Sequence, residues 1–248
     1  MRKGVSLTAR DYEIFGHLRH GPATNQNIFK NFFDNDNENK KTRERVMLRR
    51  LKKLEKEKLI KVMYNPRIKS AIYVLDKVGA ECVADKLGLE VSNIRCHFPK
   101  TADIFHDLIV SWIAKLIAKE IDELIQCDRS SILSETFLKK EKGGQRGVYY
   151  PDLKVRISNG TSIINYDIEI DCGNINKADF IGKIRTFEGT ILIIVKTEAR
   201  LNLLHRYLRA IGTGKAVCIA LTEDIGRDGF FCCKWRTPTS EYVSLIKE

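Results

Sequence analysis

The chain has 248 residues, of which 43% are hydrophobic, so it can bury a core in one large domain or two small ones. No apolar run approaches the roughly 20 residues of a membrane span, and the first residues lack the apolar stretch of a signal peptide. We therefore expect no membrane partner. The seven cysteines form no C-x-x-C pair, which disfavours a zinc ribbon. Their odd number favours reduced thiols and a cytoplasmic location.

The whole chain has a formal net charge of +11. This positive charge is concentrated in its N-terminal part. Residues 1–97 contain 21 Lys and Arg against 12 Asp and Glu, whereas residues 98–248 contain 22 against 20. This asymmetry is expected if the N-terminal part contacts a polyanion.

Three helices are predicted first. Apolar residues at helical spacing follow Thr8 and, in a shorter run, Thr24, and either residue can cap a helix. The third helix is predicted over Lys40–Lys58, with cationic side chains on most of its surface. Its predicted apolar stripe consists of Val46, Leu48, Leu51, Leu54 and Leu59.

Two short strands, 59–62 and 71–75, are predicted around a basic turn at 64–69. The stretches RRLKKLEKEKLIKV and YVLDKVGAE, in this order of elements, resemble winged-helix DNA-binding domains of bacterial regulators and mobile-element proteins. The resemblance covers residues 5–90 and implies that the third helix lies in the major groove while the turn contacts the DNA backbone. It nominates as DNA-binding residues Lys41, Thr42, Arg43, Arg45, Arg49, Arg67 and Lys69. A solvated basic helix in an interaction domain is the alternative.

The C-terminal part alternates helices and strands after a connection at 90–100. The predicted elements are helices over 101–125, 176–188 and 198–211, and strands over 131–139, 148–157, 163–171, 190–195, 216–221 and 230–235. This order predicts a mixed sheet with helices on both faces. Glu135 on the first of these strands and Glu120 on the long helix are weaker candidates for a functional site, and a solvated side chain is the favoured interpretation of each.

The stretch around which the C-terminal part is organised is YYPDLKVRISNGTSIINYDIEIDCG, residues 149–173. Strand alternation places Glu169 and Asp171 on one side, together with Asp167, and a hairpin can bring Asp152 beside them. Converging carboxylates repel one another unless a cation neutralises them, and such oxygen ligands suit Mg²⁺ or Mn²⁺. We therefore predict a metal site formed by Asp152, Glu169 and Asp171. The alternative is the solvated polar face of an edge hairpin.

Pro-Asp on one strand and E-x-D on the next, in this order of elements, resemble the PD-(D/E)xK nuclease fold over residues 100–221. Together with the N-terminal part and the stretch FHDLIVSWIAKL, the chain resembles the replication-relaxation family of plasmid and integrative-element proteins. The resemblance implies a winged helix-turn-helix in residues 1–97 and a nuclease-like mixed sheet flanked by helices in 98–248. It implies double-stranded DNA, a second copy of the chain, and replication or conjugation proteins as partners.

One position departs from the nuclease pattern, which expects lysine where this chain has Asp171. The acidic residue can act through the metal, as a ligand or by orienting water. Alternatively Lys183 on the following helix points back into the site and contacts the scissile phosphate, giving a metal-dependent endonuclease or nickase. A third explanation is that the nuclease-like domain binds DNA but no longer cleaves it. The chain would then be a replication or transcription regulator, and this domain would serve dimerisation or partner binding.

Overall fold

The computed structural model describes residues 6–34, 39–98, 103–125, 127–144, 148–160, 162–173, 175–212 and 214–246. It divides into two compact units, Met1–Ser111 and Trp112–Glu248. The domain boundary predicted between residues 97 and 98 stays a prediction. The predicted connection at 90–100 lies partly outside the described residues.

The first unit combines helices with a small antiparallel sheet. Its helices are α1 (Ala9–Leu18), α2 (Asn25–Phe32), α3 (Lys40–Lys56) and α4 (Lys77–Leu87). Its strands are β1 (Ala23–Thr24), β2 (Ile60–Asn65) and β3 (Ser70–Leu75). The strands lie in the order β1-β3-β2. The three predicted helices and two predicted strands are confirmed, whereas α4 and β1 were not predicted.

The starts of α1 and α2 follow from their capping residues. The Thr8 hydroxyl accepts a hydrogen bond from the Asp11 N–H at 3.4 Å, and the Asp11 carboxylate accepts one from the Thr8 N–H at 2.6 Å. Thr24 and Asn27 form the same reciprocal arrangement at the start of α2. These capping boxes satisfy backbone donors that an uncapped helix leaves without partners.

The predicted apolar stripe of α3 is partly wrong. Met47, Leu51 and Leu54 are the buried residues of this helix, and they pack into the core of the first unit. Val46 and Leu48 are 47% and 40% exposed. The helix therefore faces the core along the row of residues 47, 51 and 54, and the predicted stripe shares Leu51 and Leu54 with it but has Val46 and Leu48 in place of Met47.

The second unit is built on a mixed sheet, as predicted. The division between the units falls inside α5 (Ile104–Leu124). The helices of the second unit that follow it are α6 (Glu135–Glu141), α7 (Lys177–Thr186), α8 (Glu198–Ile211) and α9 (Thr222–Asp228). Its strands are β4 (Arg129–Ser134), β5 (Leu153–Ser158), β6 (Ile163–Asp171), β7 (Thr190–Val195), β8 (Val217–Leu221), β9 (Trp235–Arg236) and β10 (Tyr242–Val243). The seven strands lie in the order β10-β9-β8-β7-β6-β5-β4. Strands β6, β7 and β8 are parallel, and the other neighbours pair antiparallel.

The strand predicted over 131–139 ends early. The chain leaves β4 at Ser134, whose hydroxyl accepts a hydrogen bond from the Phe137 N–H at 3.4 Å and caps α6. Glu135 therefore lies in the first turn of a helix and not on a strand. A run of mixed polar and apolar residues this short gives no periodicity that predicts this change of conformation.

The strand predicted over 230–235 is also wrong, because Trp235 is the only residue of that range in strand conformation. Glu120 accepts hydrogen bonds from the Phe230 and Phe231 N–H groups at 2.8 and 3.0 Å. These backbone donors are thereby occupied by a side chain instead of a neighbouring strand. Glu120 is consequently buried, where a solvated side chain was expected.

Helices α7 and α8 cover one face of the sheet. Phe180 and Ile184 of α7 pack with Leu204 of α8 against strand residues that include Ile193 of β7. Ile193 is paired in register with Glu169 of β6. Since neighbouring paired residues point to the same face, the acidic side chains of β6 lie on the face that these two helices cover.

Candidate functional site

The acidic row on β6 consists of Asp167, Glu169 and Asp171. All three residues are at most 4% exposed. Strand β6 lies inside the sheet between β5 and β7. The row is therefore buried in the interior of the sheet, and the alternative interpretation as the solvated face of an edge hairpin is wrong. Buried carboxylates require partners, because removing an ionised group from water is costly.

Glu169 meets the ammonium group of Lys183. Lys183 lies in the second turn of α7, and its Nζ donates a hydrogen bond to Glu169 Oε1. Burial disfavours the charged ammonium, but the negative charges of Glu169, Asp152 and Glu135 outweigh it and raise the pKa of Lys183. The structure thus brings the predicted lysine to the predicted carboxylate.

Asp152 lies beside this ion pair, one residue before β5. Its Oδ2 accepts a hydrogen bond from the Ile170 N–H at 2.8 Å, which fixes the carboxylate against β6 next to Glu169. Its carbonyl oxygen accepts one from the Glu135 N–H at 3.1 Å. Glu169 thus contacts the ammonium of Lys183 directly, and the negative charges of Asp152 and Glu135 act on it from two further chain segments.

Asp171 has a different partner, which the sequence analysis did not anticipate. Arg200 in the first turn of α8 donates from Nε to Asp171 Oδ2 at 2.6 Å, and the Gly173 N–H donates to Oδ1 at 2.6 Å. Among the residues that the structure describes, no three His, Cys, Asp or Glu side chains are grouped so that they could hold a metal ion. The predicted group of Asp152, Glu169 and Asp171 is therefore not brought together. The one sequence signal for Arg200 was its position as a cation in the first turn of α8, the helix that follows the apolar strand β7.

Asp167 anchors a loop. Its Oδ2 accepts hydrogen bonds from the Glu188 and Gly189 N–H groups at 2.8 and 2.9 Å. Lys154 Nζ lies 3.6 Å from Asp167 Oδ1. These contacts hold the connection between α7 and β7, so the role of Asp167 is to stabilise the fold.

A cavity of about 400 Å³ opens beside the Asp152 segment. Its lining includes Tyr149, Tyr150, Pro151, Lys154 and Phe187. Tyr149 is also fixed against α7, because its hydroxyl donates to Asp179 Oδ1 at 3.0 Å. The cavity has room for a small polar or aromatic group next to Pro151, the residue that precedes Asp152.

The predicted DNA-binding residues of the first unit differ in exposure. Those exposed on α3 are Lys41, Thr42, Arg45 and Arg49, and those exposed in the turn after β2 are Arg67 and Lys69. Arg43 is half-buried, because its Nη1 donates to Asp34 Oδ1 at 3.0 Å and to the Phe33 carbonyl oxygen at 3.4 Å. The structure therefore places Arg43 in the contact between α3 and the end of α2, and leaves the other six at the surface.

The turn between β2 and β3 is held by Asn65. This buried side chain accepts hydrogen bonds from the Arg67 and Ile68 N–H groups at 2.9 and 3.3 Å. Lys69 has a positive φ of 49°. The turn thus has a defined conformation in which its two basic residues are exposed.

A comparison with known protein families, with curated proteins and with solved structures finds no match to this chain. Within the described residues, none of the helices has the length and apolar character needed to cross a membrane. The resemblance to the replication-relaxation family, with its winged-helix and nuclease-like parts, consequently stays a prediction.

Proposed function

We propose that the chain binds double-stranded DNA through a winged-helix domain in its first unit. The observation that carries this proposal is the exposed basic set on α3 and on the turn after β2, formed by Lys41, Arg45, Arg49, Arg67 and Lys69. The opposite side of α3 is packed into the core by Met47, Leu51 and Leu54. Such a helix can enter the major groove with its basic side while the turn contacts phosphates.

Substitution of Arg45 and Arg49 together by Ala tests this proposal. Because each phosphate contact releases counterions, the double variant should bind duplex DNA at least about tenfold more weakly and with a shallower salt dependence than the wild type. The double variant Lys77→Ala/Lys86→Ala removes the same charge from exposed positions of α4 and serves as the control. Equal losses in the two double variants, or no duplex binding by the wild type at low salt, would contradict the proposal.

For the second unit we propose a site that hydrolyses phosphodiester bonds in DNA, with Asp152, Glu169 and Lys183 at its centre. The observation that supports it is the approach of the Lys183 ammonium to Glu169, within the field of Asp152 and Glu135. Lys183 can donate a hydrogen bond to a phosphate oxygen and offset the negative charge that develops during attack.

The residues at this site fit Mg²⁺ or Mn²⁺. Asp152 and Glu169 offer two carboxylates from adjacent chain segments, and Mg²⁺ is commonly held by one or two carboxylates together with water and substrate phosphate. A bound metal would supply an acidified water and charge stabilisation. Asp152 and Glu169 would hold it, while Lys183 orients the phosphate. Asp171 is not assigned as a ligand, because Arg200 and Gly173 occupy both of its oxygens.

Metal-dependent cleavage of supercoiled, nicked, branched and single-stranded DNA tests this site. The wild type should cleave one of these substrates with Mg²⁺ or Mn²⁺, and Asp152→Asn and Lys183→Met should each abolish cleavage. Glu188→Gln, at a position that is about three-quarters exposed, should cleave as the wild type does. Cleavage that survives in Asp152→Asn would contradict the assignment.

A non-catalytic regulator is the second candidate. It is favoured by the pairing of the β6 carboxylates with protein cations, Asp167 with Lys154, Glu169 with Lys183 and Asp171 with Arg200. In that case the second unit serves dimerisation or binds replication or conjugation proteins. Duplex binding without cleavage of any of the four substrates would establish this alternative. Membership of the replication-relaxation family is proposed on the quoted sequence stretches and fits both candidates.

A further inference from the structure

One guanidinium group joins three elements of the second unit. Arg200 at the start of α8 donates from Nε to Asp171 at the end of β6, and its Nη2 donates to the carbonyl oxygen of Ile175 at 2.6 Å. Ile175 immediately precedes Asn176, whose side chain caps α7 by accepting a hydrogen bond from the Asp179 N–H at 2.9 Å. Arg200 therefore fixes the start of α7 relative to the end of the strand that carries Glu169.

Helix α7 leaves little freedom for a shift. A Cβ atom on Gly182 would lie 2.6 Å from Cε2 of Tyr149, so the helix backbone and this ring are in close contact. The Tyr149 hydroxyl also donates to Asp179 in the first turn of α7. Lys183 follows Gly182 directly, so the place of its ammonium group depends on how α7 is seated.

We infer that Asp171 and Arg200 form a positioning pair, which sets α7 so that Lys183 meets Glu169, and that Asp171 does not bind metal. This inference rests on the proposed function of the site and names the role of the residue at the position where the nuclease pattern has lysine. The pair acts through geometry as well as charge. The planar guanidinium makes two directed hydrogen bonds, to a carboxylate and to a backbone carbonyl, whereas a lysine ammonium at this position would be a point charge on a flexible stem.

Arg200→Lys is the decisive variant, because it keeps the positive charge and removes the two-pronged contact. The control is Arg227→Lys, the same change at an arginine that pairs with Asp224 and Asp228 on the exposed surface of α9. In Arg200→Lys, hydrogen exchange of peptides covering Lys177–Thr186 should accelerate, while peptides covering β7 and the first unit should exchange as in the wild type. In Arg227→Lys, the exchange of α7 should not change.

The cleavage assay supplies the second readout. A small misplacement of a reacting group can lower turnover by roughly 100-fold, so kcat should fall in Arg200→Lys while KM and duplex affinity stay within about twofold. Asp171→Asn, which keeps the shape of the side chain and removes its charge, should behave in the same way. If Arg200→Lys does not fold, Asp171→Asn decides the outcome.

The inference is overturned if α7 exchanges in Arg200→Lys and in Asp171→Asn as it does in the wild type. It is also overturned if Asp171→Asn lowers Mn²⁺ affinity, measured by calorimetry, while α7 exchange is unaltered. Faster exchange of α7 in both variants supports the positioning role even where the wild type cleaves no DNA. In that result the proposed hydrolysis fails and the positioning pair stands, so the two failures are distinguishable.

Discussion

At the scale of single residues, the buried ion pair of Lys183 and Glu169 links the candidate site to the stability of the second unit. Removing one partner of a buried ion pair leaves the other charge without its counter-charge, which costs roughly 3–5 kcal/mol. Replacing both partners by neutral groups costs less, because no charge then remains in the low-dielectric interior. The candidate site therefore predicts a non-additive pattern of stability.

We expect Lys183→Met to lower the free energy of unfolding of the second unit by roughly 3–5 kcal/mol, and Glu169→Gln/Lys183→Met to recover a large part of that loss. Urea unfolding followed by circular dichroism measures both. Lys139→Met, in an exposed pair with Glu135, is the control and should change stability by less than about 1 kcal/mol. Additive losses in the double variant would show that the two charges do not stabilise each other.

At the scale of elements, α3 is held against α1 by a second buried ion pair. Arg50 of α3 donates from Nε to Asp11 Oδ1 at 2.8 Å, and Asp11 is buried. Burial favours the neutral carboxyl of Asp11, but hydrogen bonds from Arg50 and Thr8 outweigh it and hold the pKa of Asp11 below its ordinary value. This contact of Arg50 fixes the angle at which α3 presents its exposed cations.

This pair predicts a pH dependence of the first unit. A carboxyl whose pKa is lowered by folding contributes stability above its unfolded pKa of about 3.9, and that contribution is lost as the pH falls through the folded pKa. Asp11→Asn should therefore lower the melting temperature of the first unit near pH 6, and the difference from the wild type should shrink below about pH 4. Asp85→Asn, at an exposed position of α4, should show no such convergence. A difference that is constant from pH 7 to pH 3 would exclude Asp11 as its source.

At the scale of the whole molecule, the two proposed activities belong to separate compact units. Duplex binding is assigned to the exposed basic set of the first unit, and hydrolysis to the Lys183 site of the second. We expect Asp152→Asn to keep the duplex affinity and the salt slope of the wild type while it loses cleavage. Titrations at several salt concentrations, paired with cleavage assays of the same samples, measure this. A duplex affinity that changes more than about threefold in Asp152→Asn would mean that the second unit also contributes to binding.

Much of the fold could be predicted because the signals are local. Thr8 and Thr24 cap helices through residues three positions away, and residues 191–195 of the buried strand β7 are a continuous apolar run. The alternation in β6 likewise placed Glu169 and Asp171 on one face. At the candidate site, Lys183 could be nominated because it lies on the helix that follows directly.

The remaining features depend on contacts between distant residues. Arg200 reaches Asp171 across 29 positions, and Glu120 reaches Phe230 across 110 positions, so neither partner is visible in the local sequence. The burial of Met47 was missed because Val46, Met47 and Leu48 are all apolar, and only tertiary packing decides which of them faces the core. Propensity and spacing do not contain this information.

The contact of Glu120 with the Phe230 and Phe231 amides also sets an order of events during synthesis. A ribosome that adds about 5–20 residues per second needs on the order of 10 s to proceed from Glu120 to Phe230. During that interval the carboxylate on the nascent chain has no access to the two donors that satisfy it in the native protein. The docking of α5 with the segment after α9 therefore cannot precede the synthesis of Phe231, and a nascent chain that has passed only β7 still lacks it.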